Sequence, residues 1–170
     1  RGGTDWGDNG IYLSLHQHVT TSTDPNVRNT WGHILQGISR AVTAINVLPE
    51  IDVPASKVYL AEARGLNAYY GLLSLDLFGL VFVKDDPGTP SRILRGAEAV
   101  NYLINEFQSI LNNLDNTVGP GRLTQYGAMG LLARLYLNAA VYRDIYGASF
   151  NFTAADMDKV IEYCDKIIAS

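Results

Sequence analysis

The stretch that decides the fold is Pro54–Gly79, PASKVYLAEARGLNAYYGLLSLDLFG. Apolar side chains recur in it every three or four residues, which is the spacing of one helical face: Tyr59, Ala63, Leu66, Tyr70, Leu73 and Leu77. Further apolar residues fall on other faces: Ala61, Ala68, Leu72 and Leu75. Pro54 suits the first turn of a helix, and Gly79 suits its C-terminal cap. The pattern predicts a helix that ends near Phe78 and is buried on most sides.

The same periodicity continues on both sides of this stretch. It predicts a helix over 27–47 before it, helices over 96–114 and 124–143 after it, and a last helix from Thr153. The predicted organisation is a loop-rich segment at 1–26, helical hairpins at 27–78 and 96–143, an insertion loop at 79–95 and the start of a third hairpin at 153–170. Within the insertion, Leu80–Val83 favours an extended conformation and 84–91 a polar surface loop.

A shift of 70 positions lays Glu62-Ala63-Arg64 on Leu132-Ala133-Arg134, each in the middle of the second helix of a pair. Such self-similarity is typical of stacked helical hairpins, although the strict repeat of about 34 residues of tetratricopeptide proteins is absent. The predicted fold class is therefore all-α, with tetratricopeptide-like helical hairpins and long loop insertions in one domain.

Composition excludes several kinds of protein. The 170 residues are 47% hydrophobic and 18% charged, which is typical of a folded chain. The net charge of -4 and the scattered basic residues disfavour nucleic acid as a partner. The longest apolar stretch, Gly71–Val83, is shorter than the roughly 20 residues that span a bilayer. The single cysteine, Cys164, cannot form an internal disulfide and is predicted to be an inert core thiol.

The functional signal lies in the first ten residues, RGGTDWGDNG, which combine four glycines, two carboxylates and Trp6. Glycines permit tight turns, so this segment is predicted to display the indole on a constrained loop. A pyranose can stack its apolar face on indole while Arg1, Asp5, Asp8 and Asn9 hydrogen-bond its hydroxyls. The alternative is that Trp6 folds back as a lid over the helices.

Other chemistry is less well supported by the sequence. Asp5 and Asp8 could form a glycosidase pair or bind calcium, but capping of turns through backbone N–H groups is favoured. His16 and His18 lack the i, i+4 spacing of a helical zinc pair, and His33 is interpreted as structural or solvated. No nucleophile elbow or P-loop occurs. We therefore predict no catalytic residue, metal or cofactor.

The remaining aromatic and small residues are assigned to packing. Tyr59, Tyr70 and Tyr136 are predicted to lie in the core, and Trp31 in the apolar face of the first helix. Only Trp6 and Tyr12 are predicted to be displayed. A separate expectation concerns glycines: those inside a helix lower its stability, so Gly127 and Gly130 are expected to allow a neighbouring helix to approach closely.

The sequence resembles the SusD/RagB family in several places and in the family's order. The residues that carry the resemblance are the first ten with Leu15-His16-Gln17-His18, Trp31 through Gly37-Ile38-Ser39-Arg40-Ala41, Ala61-Glu62-Ala63-Arg64 through Leu77-Phe78-Gly79, and Arg122-Leu123-Thr124 with Leu132-Ala133-Arg134-Leu135-Tyr136-Leu137. Val42, Asn67 and Phe82 depart from the family pattern, all in the scaffold.

The resemblance implies a tetratricopeptide-like scaffold in an outward-facing, lipid-anchored protein of the outer membrane. It also implies that the chain is part of a longer protein, with the lipidated cysteine and other ligand contacts outside it. The implied function is non-catalytic binding of a glycan nutrient and its delivery to a TonB-dependent SusC-like transporter, with Trp6, Arg1, Asp5, Asp8 and Asn9 in the site. The alternative is a tetratricopeptide-like protein-interaction scaffold that binds no glycan.

Overall fold

The computed structural model describes residues 12–170. Its elements, in chain order, are α1 (Leu13–His16), α2 (Pro25–Val47), a 3-10 turn (Leu48–Glu50), α3 (Ser56–Phe78), β1 (Val81–Val83), β2 (Arg92–Leu94), α4 (Gly96–Ile110), a 3-10 turn (Leu111–Asn113), α5 (Gln125–Arg143) and α6 (Ala154–Ile168). Each long helix packs on the next one, and α3 also contacts α5. The predicted all-α fold of stacked helical hairpins is confirmed.

The helix ends follow the capping residues of the sequence. Thr124 and Thr153 cap α5 and α6, and their hydroxyls accept the N–H groups of Gly127 and Asp156. Gly79 ends α3 in the left-handed conformation, with φ of 70°, as the sequence predicts.

A small β-hairpin stands where a surface insertion is expected. Val81–Val83 is extended, as predicted, but it pairs antiparallel with Arg92–Leu94, and this second strand is not evident from the sequence. A run of three residues is too short for its alternation to be recognised. The hairpin joins both ends of the 84–91 loop.

The main core lies between α3, α4, α5 and α6 and contains the fully buried Leu72, Leu103, Phe107 and Leu132. A hydrogen-bonded contact joins three of these helices at its edge. The Gln108 amide donates to the phenol oxygens of Tyr136 and Tyr163, at 3.3 and 3.1 Å.

A second, smaller core joins α2 to α3. Ile34, Ile38 and Val42 from α2 pack there against a set of larger side chains from α3 and β1: Tyr70, Leu73, Phe78 and Phe82. The Trp31 ring meets those of Phe78 and Phe82 edge to face, with centroids 4.9 and 5.3 Å apart. The prediction that Trp31 packs in the first helical face is confirmed.

The predicted burial of α3 is wrong in part. Tyr59, Leu66 and Leu77 are 44%, 47% and 55% exposed. The fully enclosed side of the helix instead carries many small residues: Ala61, Ala63, Gly65, Ala68, Gly71 and Ser74, with Leu72 and Leu75. Small residues allow neighbouring helices to approach closely, so they, rather than the large apolar residues, mark the contact face.

Glycines do allow close packing, but at other positions than the predicted Gly127 and Gly130. A β-carbon built at Gly37 would lie 2.4 Å from the Tyr70 ring, and one at Gly65 would lie 2.1 Å from Leu123 Cδ2. A β-carbon built at Gly130 would have no neighbour within 4 Å. One built at Gly127 would meet only the side chains of Leu123 and Thr124, which lie just before it in the chain. The expectation of close helix approach at Gly127 and Gly130 is therefore wrong.

A partly buried ion pair connects the end of α5 to the start of α6. The Arg143 guanidinium donates to both oxygens of Asp156, at 2.6 and 2.9 Å, and Thr153 donates to the same carboxylate. These bonds, led by that from Arg143, hold the pKa of Asp156 below its usual value of 3.8.

We expect Asp156→Asn to lower the free energy of unfolding at pH 7 by about 1 to 3 kcal/mol, because Arg143 loses its carboxylate partner. The folded pKa of Asp156 lies below the unfolded value, so its contribution is present above about pH 4 and is lost as pH falls through the folded pKa. Urea unfolding from pH 7 down to pH 3 should therefore bring the variant and the wild type together. A gap that stays constant over this range would contradict the assignment.

The Ser74 hydroxyl lies in the core without a hydrogen-bond partner in the described structure. A buried, unsatisfied polar group lowers stability, so Ser74→Ala should raise the free energy of unfolding by about 1 kcal/mol. Ser109→Ala is the matched control, because the Ser109 hydroxyl accepts from Arg64 and donates to the Glu106 carbonyl. Thermal unfolding should show a gain for the first variant only.

Candidate functional site

The residues proposed from the sequence as the ligand site, Arg1, Asp5, Trp6, Asp8 and Asn9, lie outside the described residues. Their roles stay predictions. The structure does describe the chain that follows them, Tyr12–Asp24, which we call the root segment. It shows how the chain after those residues joins the helical platform.

Asp24 fixes the root segment to the first long helix. Its carboxylate caps α2 by accepting the Asn26 N–H at 2.8 Å and the Val27 N–H at 3.5 Å, while Pro25 occupies the first turn. The Ser14 hydroxyl in α1 donates to the other carboxylate oxygen. These bonds, chiefly that from Ser14, lower the pKa of Asp24.

A shallow cavity of about 340 Å³ lies between the root segment and the helices. Residues from three elements line it: Leu15, Thr20, Asn26, Val27, Thr30, Leu77 and Phe78. Tyr12, which precedes α1, is 52% exposed, as its predicted display requires. The end of α3 and the start of α2 thus form an apolar surface beside the base of the loop.

A larger groove of about 410 Å³ separates the outer surfaces of α2 and α3, and we call it the α2–α3 groove. Its α2 side carries His33, Gln36, Gly37, Arg40, Ala41 and Ala44, and its α3 side carries Ala63, Leu66 and Tyr70. From the sequence, Tyr70 is predicted to lie in the core, and Gln36 and Arg40 are not proposed as site residues. The spacing of His33, Gln36 and Arg40, at i, i+3 and i+7, was the available signal that they share one helical face.

Neither metal binding nor acid–base chemistry is indicated in the described part of the chain. Across residues 12–170, no group of three or more His, Cys, Asp or Glu side chains could hold a metal ion. The most strongly raised values belong to tyrosines: the pKa values of Tyr102 and Tyr142 both rise to about 12, first because burial disfavours the phenolate. Tyr142 donates to Asp76 at 2.6 Å, which is a structural contact between α5 and α3.

Two single-residue predictions can also be compared with the structure. Cys164 is partly buried and packs against the main core, in agreement with its assignment as a core thiol. Within residues 12–170, none of the helices has both the length and the apolar composition needed to cross a membrane.

No family model matches the sequence. The chain is 28% identical over 127 residues to a SusD-like protein of Bacteroides ovatus, a match that covers 69% of this chain and 23% of the relative.

Three solved structures share the fold. One, a crystal structure with a xylogluco-oligosaccharide, has a TM-score of 0.80 and 22% identity over 92% of this chain and 32% of its own. A SusD-like protein of Bacteroides fragilis has a TM-score of 0.69 and 16% identity, over 89% and 28% of the two chains. A laminarin-binding SusD-like protein has a TM-score of 0.68 and 17% identity, over 86% and 34%.

These matches place the described helices in the class of SusD-like, tetratricopeptide-containing folds. The expected resemblance to SusD-like proteins is confirmed: the chain is similar in sequence to one of them and shares their fold. It spans about a quarter of the length of the relative and about a third of the solved chains.

We expect Asp24→Ala to release the root segment from α2, because the Ser14 hydroxyl and the Asn26 N–H both lose their acceptor. Amide hydrogen exchange should accelerate in residues 13–19 and 26–28, with α4 to α6 unchanged. Thr124→Ala removes the equivalent cap of α5 and should affect only the start of that helix. Unchanged exchange in the root segment of the Asp24 variant would show that it is held by other contacts.

Proposed function

We propose that this protein binds an oligosaccharide or polysaccharide nutrient at the cell surface, without making or breaking a bond, and delivers it to a TonB-dependent SusC-like transporter. The proposed location is the outward face of the outer membrane, through a lipid anchor outside this chain. The observation that carries the proposal is the match of 92% of the chain, at a TM-score of 0.80, to a structure solved with a xylogluco-oligosaccharide. The name of the laminarin-binding relative also supports a glycan as the ligand.

In this proposal the platform is rigid and the ligand chemistry belongs to the loop before it. Trp6 stacks on the apolar face of a sugar ring, and Arg1, Asp5, Asp8 and Asn9 hydrogen-bond its hydroxyls. A loop can hold a ligand only if its base is fixed, and the bonds of Asp24 to Ser14 and to the first turn of α2 supply such a base.

A binding role is favoured over hydrolysis by the chemistry of the same loop. A glycosidase pair requires one carboxyl with a raised pKa facing a second, ionised carboxylate across the scissile bond. In the sequence, Asp5 and Asp8 stand among glycines and polar residues, a composition that predicts turn capping by ionised carboxylates. One protein of the same fold is a laminarin-binding SusD-like protein, which also supports a binding role.

We expect Trp6→Ala to abolish the retardation of the chain in native gels that contain xyloglucan or laminarin, because stacking supplies the largest single contact. Trp6→Phe retains a smaller ring and should retain part of the retardation. Tyr59→Ala is the matched control: Tyr59 is exposed at the opposite end of α3 from Leu77, about 27 Å away.

The site assignment fails if Trp6→Ala migrates like the wild type in every glycan gel. It fails equally if Tyr59→Ala loses retardation to the same extent. Circular dichroism should show the same helix content in all variants.

A second candidate function is a protein-interaction scaffold without glycan binding. The exposed apolar side chains of α3 and α5, including Tyr59, Leu66 and Leu137, favour it because tetratricopeptide-like proteins bind partners through helical faces. Capture of the transporter by a chain that shows no retardation in any glycan gel would support this alternative.

A further inference from the structure

We propose that the α2–α3 groove is a second sugar subsite, and that it takes a carboxylate-bearing sugar such as a uronic acid unit. This inference rests on the proposed glycan-binding function and names the class of sugar. Among residues 12–170, the side chains that line the groove all belong to α2 and α3.

The groove exists because its floor is made of small residues from both helices. Gly37, Ala41, Ala44 and Ala63 leave space between the backbones that larger side chains would fill. Its volume of about 410 Å³ lies in the range of roughly 300 to 1,000 Å³ that is typical of small-molecule sites.

Tyr70 forms one side of the groove at a fixed position. Its ring packs against α2 where Gly37 has no side chain, and a β-carbon at that position would overlap it at 2.4 Å. The ring also contacts the small core of Ile34, Ile38 and Val42. An aromatic ring held in this way, together with the alanine floor, suits the apolar C–H face of a pyranose.

The charge of the groove selects the kind of sugar. Most arginines of the described structure pair with a carboxylate: Arg64, Arg92, Arg122, Arg134 and Arg143. Arg40 forms no ion pair within residues 12–170, and in the same part of the chain neither Asp nor Glu lines the groove. The groove thus carries the Arg40 guanidinium and the His33 imidazole in a chain whose net charge is -4.

A carboxylate is the natural partner for this arrangement. A guanidinium binds it through two parallel, charge-assisted hydrogen bonds, while Gln36 and the Tyr70 hydroxyl offer hydrogen bonds to ring hydroxyls. A neutral sugar would gain the apolar contacts alone and leave Arg40 to water. The groove therefore favours an acidic glycan over a neutral one.

The test compares oligogalacturonate with a neutral galactan oligosaccharide of the same length by isothermal titration calorimetry. We expect Arg40→Gln to weaken oligogalacturonate binding by about ten-fold or more, since it removes the charge-assisted pair. Arg28→Gln makes the same charge change on the exposed surface of α2 outside the groove and should leave binding unchanged. Raising the salt concentration should weaken binding of the acidic ligand by the wild type.

A steric variant tests the groove without changing its charge. Ala44→Leu fills the floor and should weaken oligogalacturonate binding to a similar degree, with unchanged circular dichroism. Equal losses in the Arg40 and Arg28 variants, or no loss with Ala44→Leu, would overturn the subsite. Binding of polyglutamate as tight as that of oligogalacturonate would overturn the choice of a sugar as occupant.

Trp6→Ala separates this inference from the proposed function. If the Trp6→Ala variant no longer binds neutral glycans but still binds oligogalacturonate, the result would support two subsites. Binding of neutral glycans by a wild type that does not bind oligogalacturonate would overturn the subsite alone, whereas failure to bind either class would overturn both proposals.

Discussion

The structure depends on close contacts at two glycines, where a neighbouring side chain occupies the space that a β-carbon would fill. Gly37 accepts the Tyr70 ring against α2, and Gly65 accepts Leu123 against α3. At either position a single added carbon would overlap its neighbour, and close-packed interiors have no free volume to absorb it. The Gly37–Tyr70 contact brings α2 and α3 close together where the groove between them lies.

The helices could be predicted well because their signals are local. The predicted 27–47 corresponds to Pro25–Val47, and Gly79 and Thr153 cap helices as expected. The buried side of each helix was harder to predict, because it depends on which other helix packs against it. Leu66 and Leu77 have the periodicity of a buried face and are exposed, while Gly65 and Ser74 are enclosed. Periodicity locates a face, but only packing determines which of two apolar faces is covered.

The two candidate sites also differ in how far the sequence alone could predict them. Trp6 and its polar neighbours were identified by residue chemistry, which needs no tertiary information, and their arrangement stays a prediction. The α2–α3 groove was missed because its residues come from two helices, and the sequence does not show which faces of the two helices meet. Arg40 and Tyr70 line one groove from different helices, and the Tyr70 ring lies where Gly37 has no side chain.

The β-hairpin between α3 and α4 has fixed bases and an exposed tip, and the two parts tolerate sequence changes differently. Gly79 and Gly96 bracket it with positive φ, and added side chains there would meet Ile145 and the Arg143 carbonyl at the end of α5. Both strands are therefore held at their bases, whereas 85–91 is exposed. The free-energy cost of a longer loop grows only slowly with its length. The tip can thus be rebuilt in length and chemistry to meet a new neighbour while the helical frame keeps its shape.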